Sequence, residues 1–448
     1  RAGANKTSGI KFIDEWRLGS QENLPSDVLN NKARNTYFFL PLILGLIGFL
    51  FILKSSKQQF WILFSLFLFM GIALKIYLNE RPFEPRERDY ALVGSFFVFS
   101  MWIGMGVYAL FEEFKKYLNP KILAPAVTVI CFLAVPTVMA YQNWDDHDRS
   151  DRYTAQSMAK SYLDSIEEDA GAMLFTIGDN DTFSLWYAQE IEGYRTDVRT
   201  INTSLFATDW YIDQMKRAAY ESAPIPSQLT HDKYAFGVRD AVYYQQLTDE
   251  RWDIKKFMDW IANDDNTIRN LIKKRGGDTS QYPESYLNLP FYPTNKIRVP
   301  VNKKNALATG LVKEKDSAEI VDYIDIDLPK SALPKNRLLM LDLLANNDWE
   351  RPIYFTGGSF DPAEYLWMKD YLQLDGLVYK LVPIKTPIDK NNPYEMGRID
   401  EDLMYNIVMD WEWGNSESPD IYHDPETRKN SISYRGNLAR LTGKLINT

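Results

Sequence analysis

The chain has one cysteine, Cys131, and three histidines in 448 residues. A lone cysteine excludes a disulfide framework, and no Cys/His spacing of the zinc type occurs. There is no Lys/Arg-rich tract and the net charge is −9. The basic surface that a nucleic-acid binder needs is therefore missing, and no nucleic-acid partner is expected. No G-x-S-x-G, Walker A or G-x-G-x-x-G motif is present, which removes the common signatures of serine hydrolases, P-loop enzymes and dinucleotide binders. The opening RAGANKTSGI has no initiator Met and no signal-peptide shape. The closing LARLTGKLINT reads as part of a helix, so the chain is expected to be a piece of a longer polypeptide. After residue 141 there is no long apolar run, no clear repeat and no low-complexity tract.

The first 141 residues are different. Thr36–Leu53, Phe60–Leu78, Tyr90–Phe111 and Ile122–Tyr141 are apolar runs of 18–22 residues. Each is long enough to cross ~30 Å of hydrocarbon at 1.5 Å per residue. Lys75 is the one charge within them and lies near a span end, where it can snorkel. Pro41, Pro125 and Pro136 are tolerable in membrane helices. Gly94, Ser95, Ser100, Gly104 and Gly106 predict a small-residue packing face on the third span. Four spans place the N-terminal segment, the 79–89 loop and the tail on one side. The joints 54–59 and 112–121 carry Lys54, Lys57, Lys115, Lys116 and Lys121, so those joints are expected to be cytoplasmic and the tail not. Tyr37, Tyr77, Tyr90 and Tyr141 share the tail's interface.

The tail alternates patterns. Asp151–Asp169 has helical spacing, Ala172–Ile177 reads as a buried strand, and a helix is expected from about Thr182 to Glu192. Val198–Thr203 and Asp209–Tyr220 continue as strand and helix. Later come a strand at Tyr323–Leu328, a helix at Arg337–Asn346, a strand at Pro352–Thr356, a helix at Ala363–Leu372 and a strand at Leu377–Pro383. Between them, 221–310 is a Pro- and Tyr-rich insert. Asp400–Trp413 and the stretch from about Glu426 read as helices. The expectation is a membrane α-helical region of four transmembrane helices followed by a soluble α/β domain with a mostly parallel sheet. The corresponding segments are 1–35, 36–141, 142–395 and 396–448.

Two stretches carry candidate chemistry. In GDNDTF, Asp179, Asn180 and Asp181 follow a strand and open a helix, the place where open α/β sheets bind ligands. Three readings are open: a plain turn with Asp181 or Thr182 capping the helix, a sugar or acceptor contact, and a D-x-D divalent-metal site at Asp179/Asp181. In NERPFEPRERDY, residues 79–90, Arg81, Arg86 and Arg88 alternate with Glu84, Glu87 and Asp89. Arginine presents a planar fork suited to phosphate, acidic neighbours orient it, and Pro82 and Pro85 stiffen the segment. Glu84 or Glu87 could act as a base. The rival reading is a solvated loop of weak ion pairs. TGGS at 356–359 reads as a turn that could approach a ligand. His147 in WDDHDRSD reads as a solvated juxtamembrane turn more readily than a metal ligand.

ERPFEPRERDYA, GDNDTFSLWYAQE and TDVRTINTSL together resemble a Bacteroidetes family of large multispanning membrane proteins. That family is grouped with GT-C glycosyltransferases of the protein O-mannosyltransferase kind. The resemblance implies transfer of a sugar, mannose first among candidates, from a polyprenyl-phosphate carrier to Ser or Thr of an exported protein. It implies a bacterial inner-membrane protein with its soluble domain in the periplasm, membrane lipid and an exported acceptor as partners, and no cofactor beyond the lipid-linked donor. It places the catalytic carboxylate in a first outer loop that precedes this chain. Arg81, Arg86 and Arg88 would then face the lipid phosphate. A non-catalytic component of an envelope or secretion complex is the alternative reading.

Overall fold

The structure is a computed structural model and describes residues 11–20, 22–23, 35–79, 88–359, 361–389, 392 and 395–447. Two compact units emerge, one of Arg1–Ser150 with Pro419–Glu426 and one of Asp151–Ser418 with Thr427–Thr448.

In the first unit, Tyr37–Ser55, Lys57–Leu78, Tyr90–Phe114 and Pro120–His147 are helical, long and apolar enough to cross a membrane. The second and fourth each contain a π-type turn, at Phe69–Ala73 and Leu133–Thr137. Pro136 explains the second of these. It has no N–H for the α-helical ladder, and the turn widens around it. The Thr137 hydroxyl donates to the Phe132 carbonyl at 3.1 Å and satisfies one freed acceptor.

The first and third spans pack through glycine. A Cβ on Gly48 would overlap the Trp102 carbonyl, and one on Gly106 would overlap the Leu44 carbonyl. Backbones approach that closely only where neither helix carries a side chain. Trp102 then packs edge-on to Phe49, ring centroids 4.9 Å apart, with Phe60 and Phe64 behind. The expected small-residue face of the third span divides accordingly. Ser95 and Gly106 are buried in it, Gly94 meets Met70, and Gly104 faces open space. Gly48 of the first span opposes Trp102 and Gly106, Gly45 opposes Phe99, and Gly71 of the second span opposes Ser95.

In the second unit a five-stranded sheet has the order β10-β11-β9-β1-β2. Its strands are β1 (Met173–Thr176), β2 (Arg199–Asn202), β9 (Ile353–Thr356), β10 (Leu372–Asp375) and β11 (Val378–Leu381). Strand β1 is parallel to both β2 and β9. Strand β11 is antiparallel to β9 and to β10. The remaining strands are β3 (Ala241–Tyr244), β4 (Trp252–Asp253), β5 (Phe291–Tyr292), β6 (Lys296–Pro300), β7 (Tyr323–Asp327) and β8 (Ala332–Pro334). They form two three-stranded sheets, β5-β3-β8 and β4-β6-β7, each with one parallel and one antiparallel pair. The expected mostly parallel sheet is therefore corrected to mixed sheets. The cause is local. Gly376, with φ +54°, turns the chain between β10 and β11 into a tight hairpin, and a hairpin returns antiparallel.

Two further expectations change. Ala363–Leu372 is not one α-helix. It contains short 3-10 turns at Pro362–Tyr365 and Lys369–Tyr371, because Leu366 and Trp367 adopt left-handed backbone and stop any helix. Tyr323–Asp327 is a strand, but it pairs with β6 outside the main sheet.

Side chains alternate across the main sheet as the strand period requires. Met173, Phe175, Ile201, Ile353 and Phe355 share one core with Leu338, Leu339 and Leu341 of the helix Lys335–Asn347. Leu174 and Tyr354 join the opposite core with helix α1 (Thr154–Asp164) and helix α2 (Asp179–Glu190). The Lys335–Asn347 helix, α4 below, is buried nearly all round. Helix α3 is Asp209–Met215, and α5 and α6 are Glu401–Met409 and Pro425–Asn447. Beyond β10, Arg398 closes the sheet's outer border: its N–H donates to the Leu372 carbonyl at 2.9 Å, and its carbonyl accepts from Leu374 at 2.8 Å.

Gly48→Ala is expected to cost about 1–3 kcal/mol by forcing two helix backbones apart. Gly104→Ala, with nothing to meet, is expected to be near neutral. Thermal unfolding of the purified chain in detergent checks the contrast.

Candidate functional site

The parallel strands β9, β1 and β2 end side by side, so three loops gather at one border of the sheet: TGGS after β9, GDND after β1 and NTSL after β2. Helix α2 begins at Asp179, with Gly178 in extended conformation as its cap and no side-chain cap bond. Neither Asp181 nor Thr182 is the cap. Thr182 lies inside the first turn, where its hydroxyl donates to the Gly178 carbonyl at 2.6 Å. The same oxygen lies 2.6 Å from the Thr176 hydroxyl and accepts from Asn202 Nδ2 at 2.9 Å. One buried hydroxyl therefore ties the end of β1, the end of β2 and the start of α2. The Asn202 side-chain oxygen accepts from the N–H groups of Ser204 and Leu205, 2.9 Å each, and folds the chain back past β2.

This knot decides what GDND presents. Asp179 and Asn180 are exposed and Asp181 is half-buried. The two aspartates already supply negative charge to the first turn of α2, where the helix dipole favours it. A second anion there would meet that charge. A neutral hydroxyl-rich group or a cation would not. Among the described residues no three His, Cys, Asp or Glu side chains gather as a metal site.

The start of α4 reaches the same border. Asn336 Nδ2 donates to the Thr203 carbonyl at 2.9 Å. Next to it Arg337 is buried and ion-paired to Glu364, which follows the TGGS loop. The second oxygen of Glu364 and the Thr356 hydroxyl are buried without hydrogen-bond partners. Arg337 and Glu364 were not singled out in the sequence, whereas Thr356 opens the TGGS turn that was. Arg337 had one sequence signal, a cation at the head of the leucine-rich run RLLMLDLL, whose other charge is Asp342.

Of the charged interspan loop, Arg81, Glu84, Arg86 and Glu87 lie outside the described residues. Arg88 is exposed and directly precedes the 3-10 turn Asp89–Leu92 that opens the third span. This loop and GDND belong to different compact units. His147 ends the fourth span's helix with Nδ1 3.1 Å from Asp146 Oδ1.

A cavity of about 330 Å³ opens elsewhere in the soluble unit, lined by Glu167, Lys313, Tyr354, Asp375, Lys380 and Asp400 among others. Lys380 and Asp375, 5% and 2% exposed, pair at 3.0 Å, and Gln373 Nε2 donates to the other Asp375 oxygen at 2.9 Å. Burial opposes the Lys380 charge, but Asp375 outweighs it and holds the ammonium above the ordinary lysine range. Burial likewise pushes the Asp400 carboxyl up. Lys313, 2.8 Å away, and the Leu403 N–H outweigh it and hold Asp400 below the usual carboxylate range.

The comparisons place the chain. Residues 155–403, more than half of its length, match the family model TMEM260-associated domain 2, and the chain belongs to that family. The match covers GDND, NTSL, TGGS, Arg337 and Glu364. Over 153 residues the chain is 24% identical to the protein O-mannosyl-transferase TMEM260 of Mus musculus. That stretch is 34% of this chain and 19% of the relative, so the chain matches about a fifth of the relative's length. No solved structure matches.

Two substitutions test the cavity's electrostatics. Asp375→Asn strands a buried ammonium and is expected to cost about 3–5 kcal/mol, read by chemical denaturation. Asp400→Asn keeps the helix cap but removes the charge. Because the folded Asp400 is more acidic than the unfolded one, its stabilisation is present above the ordinary carboxylate pKa and lost as pH falls through the depressed value. The variant is expected to melt about 1–3 °C below wild type at neutral pH. The gap closes once Asp400 is protonated in the fold.

Proposed function

We propose that the chain is part of a membrane glycosyltransferase that moves a sugar, mannose first, from a polyprenyl-phosphate-linked donor to Ser or Thr of exported proteins. In this reading it resides in the bacterial inner membrane with the soluble unit in the periplasm. The observation that carries the reading is the family match across the soluble unit, joined to the likeness to a relative named for protein O-mannosyl transfer. Four helices long and apolar enough to cross a membrane suit a protein that draws on a lipid-linked donor.

Within this reading Arg81, Arg86 and Arg88 hold the donor phosphate, since a guanidinium pairs with phosphate oxygens through two parallel donors. Glu84, Glu87 and Asp89 keep those forks oriented. Asp179, Asn180 and Asp181 contact sugar or acceptor hydroxyls, which suits an exposed helix turn that already carries two negative charges. No catalytic carboxylate is assigned among these residues.

The test is transfer from polyprenyl-phosphate mannose to a Ser/Thr-rich peptide by the complete protein in lipid. Arg86→Ala and Arg88→Ala are each expected to lower transfer by roughly 10- to 100-fold, the worth of a charged hydrogen-bonded contact, chiefly through the KM for donor. Unchanged glycosylation of exported proteins in a deletion strain sinks the reading. Stoichiometric co-purification with one partner, without transfer, marks the rival envelope-complex role.

A further inference from the structure

A second cavity, about 420 Å³, lies along the outer edge of β2 in the soluble unit. Its lining includes Trp186, Gln189, Arg199, Trp210, Gln214 and Tyr220. Its size falls in the range of small-molecule sites, roughly 300–1,000 Å³. It is separate from GDND: it sits beside the first residues of β2 and the second half of α2, away from the strand ends.

The aromatic walls are open. Trp210 is 55% exposed and Tyr220 62%, and Trp186 is half-buried against Phe183, ring centroids 5.6 Å apart. Large aromatics left facing a cavity are surfaces for an apolar face to cover. The polar lining is fixed in place. Tyr220 donates to Glu190 at 2.5 Å. Arg199 is 3% exposed, and its terminal nitrogens are held by the carbonyls of Gln214 and Met215, 2.8 and 3.0 Å away, and by the Ser222 hydroxyl at 3.1 Å. Its Nε–H is buried and has no partner. Leaving such a donor unpaired is costly.

Three other occupants fit less well. An added β-strand would have to displace side chains already on this edge: the Asn202 N–H donates to the Tyr211 hydroxyl at 2.9 Å, and just before β2 Gln189 Nε2 donates to the Val198 carbonyl at 2.8 Å. An anion would find the Arg199 charge already facing the carbonyl end of α3 and would meet Glu190. A purely apolar ligand would cover the exposed Gln214 and Glu190 side chains without offering them a partner. A ligand with a flat C–H face and a rim of neutral hydroxyls satisfies both walls.

We propose that this cavity is a saccharide-binding site that takes a pyranose ring against Trp210 and Tyr220, with ring hydroxyls reaching the exposed Gln214 and Glu190 side chains. The site is separate from GDND, and its saccharide binding stands whether or not the chain carries out transfer.

The test uses the full chain in a detergent without sugar head groups. Methyl α-mannoside, methyl α-glucoside, methyl β-galactoside and methyl N-acetyl-β-glucosaminide are titrated against tryptophan fluorescence and saturation-transfer NMR. At least one is expected to bind saturably, at about millimolar affinity. Trp210→Ala is expected to weaken that binding roughly tenfold or more, while Trp210→Phe, which keeps a ring face, stays within about threefold. Tyr282→Ala, an exposed aromatic elsewhere, leaves it unchanged. Comparing a mannosyl-threonine peptide with α-mannose 1-phosphate then tells an acceptor glycan from a donor sugar, either of which keeps the cavity a saccharide site. No saturable binding by any of the four glycosides, or unchanged binding in Trp210→Ala, overturns the proposal.

Discussion

The soluble unit hangs on four residues. Met173–Thr176 is bonded to a parallel neighbour on each edge and covered by a core on each face. All four are buried, so every main-chain polar group there must be met by β2 or β9. That demand fixes register. Phe175 is held opposite Ile201 and Phe355, and its ring stacks on Phe355 with centroids 5.6 Å apart. The loops leaving the three strands are brought to one border as a consequence. The border is then fastened by the Thr182 hydroxyl, which uses its one donor and both acceptor positions on partners from two strands and a helix.

The membrane unit is governed by a different constraint. In lipid there is no hydrophobic gain from joining two apolar helices, so close contact must come from shape. Gly45, Gly48 and Gly106 provide it between the first and third spans. The aromatic cluster around Trp102 fills the space next to this contact.

Much of this was legible in the sequence, and the limits are physical. The four spans and the βαβ order through Asn202 were readable because each rests on a local pattern: an apolar run, or a buried strand and a periodic helix in succession. The two small sheets were not. Strands β4 and β5 are two residues long, and β4 pairs with β6 across more than forty residues of chain. Ala363–Leu372 misled because its buried apolar residues suit a helix, while the left-handed backbone at Leu366 and Trp367 leaves no mark in residue type. The position of GDND at a strand end was correct, but its cap was not, since nothing local shows that Thr182 would be claimed by Thr176 and Asn202. The Arg337–Glu364 pair is made across the β9 turn, which no periodicity reports. The charged loop's Arg81, Glu84, Arg86 and Glu87 lie outside the described residues, and their role rests on residue chemistry alone.

The borders of the main sheet have a further consequence. At one side the segment around Arg398 occupies the main chain of β10, and at the other Tyr211 and Gln189 occupy main-chain groups at the end of β2 and just before it. An open border is a template for any passing extended chain, including a second copy of the same protein. With each border partly occupied in this way, the sheet offers a passing chain a broken rather than a continuous ladder.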